Sequence, residues 1–183
     1  MSMPSIIVVC TGNICRSPVG EAALSYLLPK GIEVTSAGTR AVMDARAKPE
    51  AQHFLQRELA IAKDHHARQM SRELAESSDL IITMTTEHRS WIARTAPRTV
   101  RRTFTLKELD LLLSGLPEKI TFGSLKEVGM TASRLRPRLA QDGAKLDIAD
   151  PYGGPSEGYE SSFSEILNSS RRIAHAISQR LNG

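Results

Sequence analysis

Long apolar runs are absent from this sequence. The longest one near the N-terminus covers residues 6–10, which is far too short for a signal peptide or a transmembrane helix. We therefore expect no association with a membrane and a location in the cytoplasm.

Cysteine is scarce, and the two that are present, Cys10 and Cys15, lie close together. Two cysteines at this spacing do not resemble the disulfide framework of a secreted protein, and a reducing compartment suits free thiols better. The adjacent His65 and His66 cannot share one helical face, so we expect hydrogen-bonding or surface roles for them. No spacing typical of metal ligands is found, and we expect neither a metal ion nor another cofactor.

Aromatic residues make up only 4% of the chain, and the net charge of +4 is modest. Lysine and arginine are spread along the sequence, and they form no basic stripe interleaved with aromatic residues. Proteins that bind nucleic acid usually combine these two features. Nucleic acid is therefore not expected as a partner.

The remaining composition is that of a globular protein. Apolar residues make up 40% of the 183 residues, enough for one domain spanning 1–183. Apolar, partly β-branched runs predict strands at 6–9, 32–36, 80–84 and 99–104, the last polar enough for a sheet edge. Helical patterns lie between them. The alternation predicts right-handed βαβ units, and so an α/β fold with a parallel sheet covered by helices on both faces.

Capping residues predict where several helices begin. Ser17 is a suitable N-cap and Pro18 a suitable first residue for the helix after strand 1. The buried face of this helix is predicted to carry Val19, Ala22, Ala23, Tyr26 and Leu27. Capping boxes at 105–108 and 124–127 predict two helices before residue 150, with Pro137 kinking or ending the second. The last helix is predicted from about residue 158.

The stretch from Cys10 to Ser17 carries the chemistry. Cys10 follows the first strand, and ligands of parallel sheets bind at the carboxyl ends of the strands. The following helix N-terminus and Arg16 both favour the thiolate, which is the nucleophilic form of cysteine. The Ser17 hydroxyl can donate a further hydrogen bond to the sulfur. This combination predicts a nucleophilic thiol.

The residues between Cys10 and Arg16 suit a tight loop around an anion. Gly12 tolerates a positive φ freely, and Asn13 tolerates it better than most residues do. The backbone amides from Thr11 to Arg16 can then converge on the oxygens of an anion, while the guanidinium binds two of them. A buried core cysteine before an ordinary helix cap would leave Gly12, Asn13 and Arg16 unexplained. The predicted ligand is a phosphate-like dianion.

The string Cys-Thr-Gly-Asn-Ile-Cys-Arg-Ser-Pro at 10–18 resembles the phosphate loop of the low-molecular-weight protein tyrosine phosphatases. Residues 36–39 resemble the segment after that family's second strand, and residues 150–152 resemble its general-acid loop. The resemblance implies a three-layer sandwich with a four-stranded parallel sheet of order 2-1-3-4. It also implies a phosphatase that needs no metal and works through a cysteinyl-phosphate. The expected phosphate-binding and loop-supporting residues are Thr11, Gly12, Asn13, Ile14, Cys15, Ser17 and Ser36.

The expected reaction also needs an acid. A phenol has a pKa of ~10, so phenolate leaves poorly at neutral pH unless it is protonated. Asp150 is the candidate: it would protonate the leaving oxygen and then serve as base for the water that hydrolyses the phosphocysteine. We therefore expect Cys10, Arg16 and Asp150 to be the catalytic residues.

The resemblance also bears on the substrate. A bulky residue such as Ile14 is typical of family members acting on phosphotyrosine, whereas related arginine phosphatases tend to carry threonine there. Tyr152 is expected to form one wall of the cleft. Residues 40–44 lack the second aromatic residue that the family often supplies. The expected substrate is a phosphotyrosine protein.

Several alternatives stay open at this point. One is a phosphoarginine phosphatase, and another is an arsenate reductase that uses an external thiol carrier. A phosphopeptide-binding module without turnover is disfavoured because Cys10, Arg16 and Asp150 occur together. Cys10 and Cys15 either form a disulfide on oxidation, or Cys15 is simply a small buried residue.

The segment between strand 4 and Asp150 is longer than in compact members of the family. We expect a helical insertion at about 105–147 that adds core or covers the cleft. A monomer or a weak dimer is expected.

Overall fold

The computed structural model describes residues 3–117, 119–139 and 145–181, without the side chain of Arg138. The predicted 1–183 domain and its 105–147 insertion therefore lie partly outside the described residues. Within the described residues, no helix is both long enough and apolar enough to cross a membrane.

Four parallel strands form the sheet that was predicted. They are β1 (Ser5–Cys10), β2 (Glu33–Gly38), β3 (Leu80–Thr83) and β4 (Thr103–Thr105), and their order is β2-β1-β3-β4. β1 and β3 lie in the centre, and β4 is at an edge as predicted. The sheet register places Cys10 beside Gly38 at the carboxyl end of β1.

Helices cover both faces of the sheet. They are α1 (Arg16–Leu27), α2 (Pro49–Leu59), α3 (Arg72–Ser77), α4 (Thr86–Thr95), α5 (Leu106–Ser114), α6 (Leu125–Leu139) and α7 (Ser156–Arg180). Helices α5 and α6 occupy the predicted position between β4 and Asp150. The α/β sandwich is therefore confirmed.

Alternate side chains of β1 separate two apolar cores. Ile6, Val8 and Cys10 join the larger core under α1, α2, α5, α6 and α7. Ile7 and Val9 join a smaller one under α3 and α4. A central strand buried on both faces explains the continuous apolar run in the sequence.

The fourth strand was predicted too early in the chain. Residues Pro97–Arg102 form a 3-10 helix, and only Thr103–Thr105 pair with β3. Pro97 starts this helix, and Thr99 and Thr103 bond backbone carbonyls at 2.8 and 2.9 Å through their hydroxyls. Those local bonds favour a turn over an extended chain.

Two predictions about α1 were also wrong. The helix begins at Arg16 with Cys15 at the N-cap position, and no side chain caps it. Ser17 is instead inside the helix, where its hydroxyl faces Cys10. Tyr26 is 61% exposed rather than part of the buried face.

The ends of the later helices agree more closely with the sequence. Thr105 and Glu108 form the predicted capping box. At 124–127 the box is only half formed, since Ser124 caps Glu127 N but the Glu127 carboxylate accepts from Gly123 N. Pro137 does not end α6, which continues to Leu139.

Helix α6 is held by a buried carboxylate. Glu108 is 1% exposed, and its two oxygens accept hydrogen bonds from Arg89 of α4 and Arg136 of α6, both at 2.7 Å. The Arg136 guanidinium also lies 4.4 Å from the centre of the Phe104 ring. These contacts attach α6 to α5, α4 and β4.

Candidate active site

Cys10 lies at the end of β1 with its sulfur facing hydrogen-bond donors. Asn13 N donates to Cys10 Sγ at 3.3 Å, and Ser17 Oγ is 2.9 Å from the same sulfur. Helix α1 begins six residues later in the chain, at Arg16. The sulfur thus lies at the carboxyl end of a strand, within hydrogen-bonding distance of a backbone amide and a hydroxyl.

Asn13 gives the loop its shape. It has a φ of 57°, in the left-handed region that asparagine tolerates. Its side-chain nitrogen donates to Ser17 Oγ at 2.9 Å and to Ser36 Oγ at 2.8 Å. Its side-chain oxygen accepts from Arg68 N at 2.9 Å. All three side-chain bonds hold the curled conformation.

Gly12 does not use the freedom that was expected of it. Its φ lies outside the left-handed region, and a Cβ there would be 3.4 Å from the nearest side-chain atom, in Ile14. The glycine that the loop requires is Gly38, where a Cβ would lie 2.4 Å from Thr11 O and 3.0 Å from Asn13 N. The end of β2 thus packs directly against the loop.

Arg16 and Asp150 form an ion pair beside the loop. Arg16 Nη2 lies 2.6 Å from Asp150 Oδ2, while Nη1 donates to Ile148 O at 3.1 Å. The arginine side chain is 4% exposed and the aspartate side chain 49%. The predicted clamp and the predicted acid therefore meet at one site.

The segment before Asp150 is fixed to neighbouring helices and strands. Ile148 N donates to Met84 O at 2.9 Å, at the end of β3. Asp147 Oδ1 accepts from Thr86 N at the start of α4 at 2.7 Å, and Ser162 of α7 donates to Ala149 O at 2.9 Å. These bonds determine where the Asp150 carboxylate can lie.

His88 supports the other side of the loop. Its Nε2 is 2.8 Å from Thr11 Oγ1, and its Nδ1 is 3.0 Å from Thr85 Oγ1. Burial, together with the nearby Arg16 charge, lowers the pKa of His88 to about 4. The ring is therefore neutral at pH 7.

A second polar group lies beneath the loop. Glu21 of α1 accepts hydrogen bonds from Ser36 and Lys63, and His65 Nε2 donates to Asn13 O at 2.7 Å. Burial by itself raises the pKa of Glu21, but hydrogen bonds with His65, Lys63 and Ser36 outweigh it and lower the pKa to about 2. Glu21 is therefore ionised at pH 7. His65 has a hydrogen-bonding role, as expected, whereas His66 is exposed.

The loop opens into a cleft of about 210 Å³. Its lining residues are Cys10, Thr11, Gly12, Ile14, Cys15, Arg16, Arg40, Val42, Asp150 and Tyr152. The other predicted residues, Asn13, Ser17 and Ser36, do not line the cleft, and Asn13 bonds to the hydroxyls of both serines. The predicted residues therefore divide into a lining set and a supporting set.

Aliphatic and aromatic side chains flank the mouth of the cleft. Tyr152 is 61% exposed, with Lys48 Nζ 5.1 Å from its ring centre. Val42 also lines the cleft. It belongs to residues 40–44, the segment that lacks an aromatic residue in this chain. A phosphorylated side chain that enters the cleft would therefore contact Tyr152 and Val42.

Cys15 also lines the cleft but differs from Cys10. Burial raises the pKa of Cys15 to about 12, and the neighbouring Cys10 and Asp150 add to that shift. Cys15 is a protonated thiol at pH 7 and hence a poor nucleophile. Both cysteines are free thiols in the structure.

Comparison with known proteins identifies the family. The model of the low molecular weight phosphotyrosine protein phosphatase family matches residues 5–114. The chain belongs to this family. The family, the fold and the phosphatase activity predicted from the sequence are confirmed.

The relatives within the phosphatase family differ in named activity. A protein-arginine-phosphatase of Geobacillus stearothermophilus is 31% identical over 172 residues, which is 94% of this chain and 95% of the relative. The low molecular weight protein-tyrosine-phosphatase Etp of Escherichia coli is 40% identical over 93 residues, 51% of this chain and 62% of Etp. The structure of the Erwinia amylovora tyrosine phosphatase AmsI aligns with a TM-score of 0.71 at 26% identity, covering 97% of this chain and 95% of AmsI.

The residues of the site that were not predicted from the sequence include Gly38, His88, Glu21, Lys63, Arg40 and Val42. Gly38 lies within residues 36–39, the segment that resembles the family, so this resemblance could have indicated it. Arg40 was noted only as part of a segment without an aromatic residue. His88 and Glu21 gave no local signal, because their partners lie on other helices and loops.

Proposed function

We propose that this phosphatase hydrolyses phosphotyrosine-type monoesters with Cys10 as nucleophile, Arg16 as phosphate clamp and Asp150 as general acid and base. The observation that carries the proposal is the meeting of these three side chains in one cleft. Ser17 Oγ and the amide of Asn13 hold the sulfur in place, at 2.9 and 3.3 Å.

In the first step, the Cys10 thiolate attacks phosphorus as the bond from phosphorus to the ester oxygen breaks. The leaving oxygen takes a proton from Asp150, and a cysteinyl-phosphate results. In the second step, Asp150 removes a proton from water, whose oxygen attacks phosphorus. Inorganic phosphate and the Cys10 thiolate are released. This mechanism needs no metal ion.

The ion pair between Arg16 and Asp150 fits this sequence of events. A phosphate dianion bound to the loop would compete with the aspartate for Arg16 Nη2. Displacement from the guanidinium would free the carboxylate to face the leaving oxygen of the ester.

The cleft residues favour an aromatic phosphoester. Ile14 lines the cleft, and so does Tyr152, whose ring is 61% exposed. A flat phenol ring can stack on tyrosine and contact aliphatic side chains. These contacts support phosphotyrosine as the substrate class, in a protein whose identity is open.

Phosphoarginine is the second candidate. It is supported by the arginine phosphatases of Geobacillus stearothermophilus and Bacillus subtilis, each 31% identical to this chain and each covering 94% of it. Both substrates would use the same thiol and clamp. They differ in the group that leaves phosphorus.

Kinetics on purified protein separate the candidates. We expect turnover of p-nitrophenyl phosphate and of a phosphotyrosine peptide, and loss of both in Cys10→Ser. Rapid quenching should trap phosphate on Cys10. Faster turnover of a phosphoarginine peptide would support the second candidate, and thiol-dependent consumption of arsenate with negligible phosphatase activity would support arsenate reduction. Wild-type turnover in Cys10→Ser would contradict the covalent mechanism.

We further propose a cytoplasmic location, which the two free thiols support. The monomer or weak dimer stays a prediction, and so does a reversible disulfide between Cys10 and Cys15.

A further inference from the structure

A second cavity adjoins the catalytic cleft. It has a volume of about 250 Å³ and is lined by Thr11, Thr39, Arg40, Glu87, His88, Trp91 and Arg94. Thr11 and Arg40 line both this cavity and the catalytic cleft. A substrate seated in the cleft therefore passes close to the second cavity.

One side of α4 forms the far wall. Glu87, Trp91 and Arg94 are spaced i, i+4 and i+7 and so share a helical face. The helix is fixed at its start, where Thr85 Oγ1 accepts a hydrogen bond from His88 N at 3.2 Å. Trp91 is partly buried against the smaller core. The wall is therefore a rigid surface with an apolar centre.

The charges in this cavity are unbalanced. Arg40 and Arg94 are both exposed, and among the described residues neither guanidinium lies within 4.0 Å of a carboxylate. Glu87 supplies one negative charge. His88 adds no positive charge, because burial and the nearby Arg16 lower its pKa to about 4. Two cations thus face one anion.

We propose that this cavity is a substrate subsite that binds an acidic side chain one or two residues from the phosphorylated residue. Each residue of an extended peptide advances by roughly 3.3–3.6 Å, so a neighbour of the phosphorylated residue can reach an adjoining cavity. Its carboxylate would lie between Arg40 and Arg94, and its methylene groups would contact Trp91. This inference rests on the proposed hydrolysis of phosphorylated proteins.

Peptides that differ at single positions test the subsite. A phosphotyrosine peptide flanked by alanines is compared with versions carrying Asp or Lys at positions −2, −1, +1 and +2. We expect Asp at one or two of these positions to lower KM and Lys at the same positions to raise it. For an exposed charge pair the effect should be roughly two- to fivefold.

Matched variants assign the effect to this cavity. Arg94→Gln should abolish the preference for Asp, while turnover of p-nitrophenyl phosphate, which has no flanking residue, stays at the wild-type rate. Glu87→Gln should strengthen the preference. Arg98→Gln makes the same charge change at an exposed arginine that does not line the cavity, so it controls for overall charge and should keep the wild-type preference.

The outcomes separate the subsite from the function on which it rests. Absence of all turnover would contradict the proposed function. Normal turnover with equal KM for Asp, Ala and Lys peptides would contradict the subsite alone. An Asp preference that Arg94→Gln and Arg98→Gln reduce equally would also overturn the subsite, because it would come from overall charge.

Discussion

Arg16 Nη2 and Asp150 Oδ2 lie 2.6 Å apart although 134 positions separate the two residues in the sequence. The proposed clamp and the proposed acid are thus neighbours before any substrate binds. Ile148, which bonds Arg16 through its carbonyl, places both groups at the carboxyl ends of β1 and β3.

The first prediction concerns the acid. Asp150→Asn should lower kcat/KM, which reports on the step that releases the phenolate, by about 10²- to 10⁴-fold for phenyl phosphate, because phenolate leaves poorly without a proton. The loss should be much smaller for 2,4-dinitrophenyl phosphate, whose leaving group needs no proton. Steady-state rates across a series of aryl phosphates measure this difference.

Asp147→Asn is the matched control for this experiment. Asp147 lies three residues earlier and accepts from Thr86 N, so its loss should weaken a helix N-terminus. The dependence on the leaving group should stay as in the wild type. Equal losses of kcat/KM for both esters in Asp150→Asn would remove Asp150 from the acid role.

The second prediction separates the backbone of Asn13 from its side chain. Asn13→Gly and Asn13→Ala both lose the bonds to Ser17, Ser36 and Arg68. Only alanine is strained at a φ of 57°. The free energy of unfolding should therefore be higher by about 1–2 kcal/mol for Asn13→Gly than for Asn13→Ala. Identical unfolding free energies would mean that the loop relaxes out of the left-handed conformation.

The third prediction concerns Gly38. Gly38→Ala brings a Cβ to 2.4 Å from Thr11 O, so the phosphate loop must shift, at a cost of about 1–3 kcal/mol in stability. We expect KM for p-nitrophenyl phosphate to rise and kcat to fall.

Gly158→Ala controls for the added methyl group, since a Cβ there meets no atom within 4 Å. In helix α7 this change should be neutral or stabilising by up to about 1 kcal/mol. Wild-type kinetics in Gly38→Ala would show that the loop is not held against β2 as tightly as the contact implies.

The fourth prediction concerns pH. Burial and the Arg16 charge lower the pKa of His88 from 6.5 to about 4, so between these values the unfolded chain binds a proton that the folded protein does not. Stability therefore falls as the pH drops through this window, by up to about 3 kcal/mol. Denaturant unfolding at pH 7, 5.5 and 4.5 should show less of this loss in His88→Asn than in the wild type.

His66→Asn is the control, because His66 is exposed. The stability of His66→Asn should vary with pH as that of the wild type does.

Glu21 does not affect the comparison at pH 7 and 5.5. Its pKa is lowered to about 2 by hydrogen bonds that outweigh its burial, so its contribution to stability is lost only as the pH falls below about 4.5. Parallel curves for wild type and His88→Asn would contradict a neutral buried His88.

The parts of the fold that could be predicted are those with local signals. β-branched runs gave the central strands, and Thr105 with Glu108 gave a helix start. The loop residues were found because the strand end, the thiol and the arginine lie within one short stretch that ends at Arg16. Asp150 required the family resemblance, since an Asp-Pro pair by itself is a common turn.

The errors have physical causes that the chain alone does not display. Ser17 has the composition of an N-cap, but its hydroxyl bonds to Cys10 and Asn13 inside the helix. Gly12 is the glycine within the motif, yet Gly38 is the residue that packs so closely against the loop that a Cβ would clash. A side-chain contact within the loop overrides the capping preference of Ser17, and a contact between β2 and the loop makes Gly38 the required glycine.

The ion pairs of Glu108 limit how helix α6 can be deleted from this protein or transferred to another. Removing α6 would take away Arg136 and leave a buried carboxylate whose remaining charged partner, within the described part of the chain, is Arg89. It would also uncover the Phe104 ring. Grafting α6 onto a shorter protein would require Glu108 and Phe104 to be transferred as well. Helix α6 is therefore not a portable module, and a deletion variant would report on the stability of β4 rather than on the helix alone.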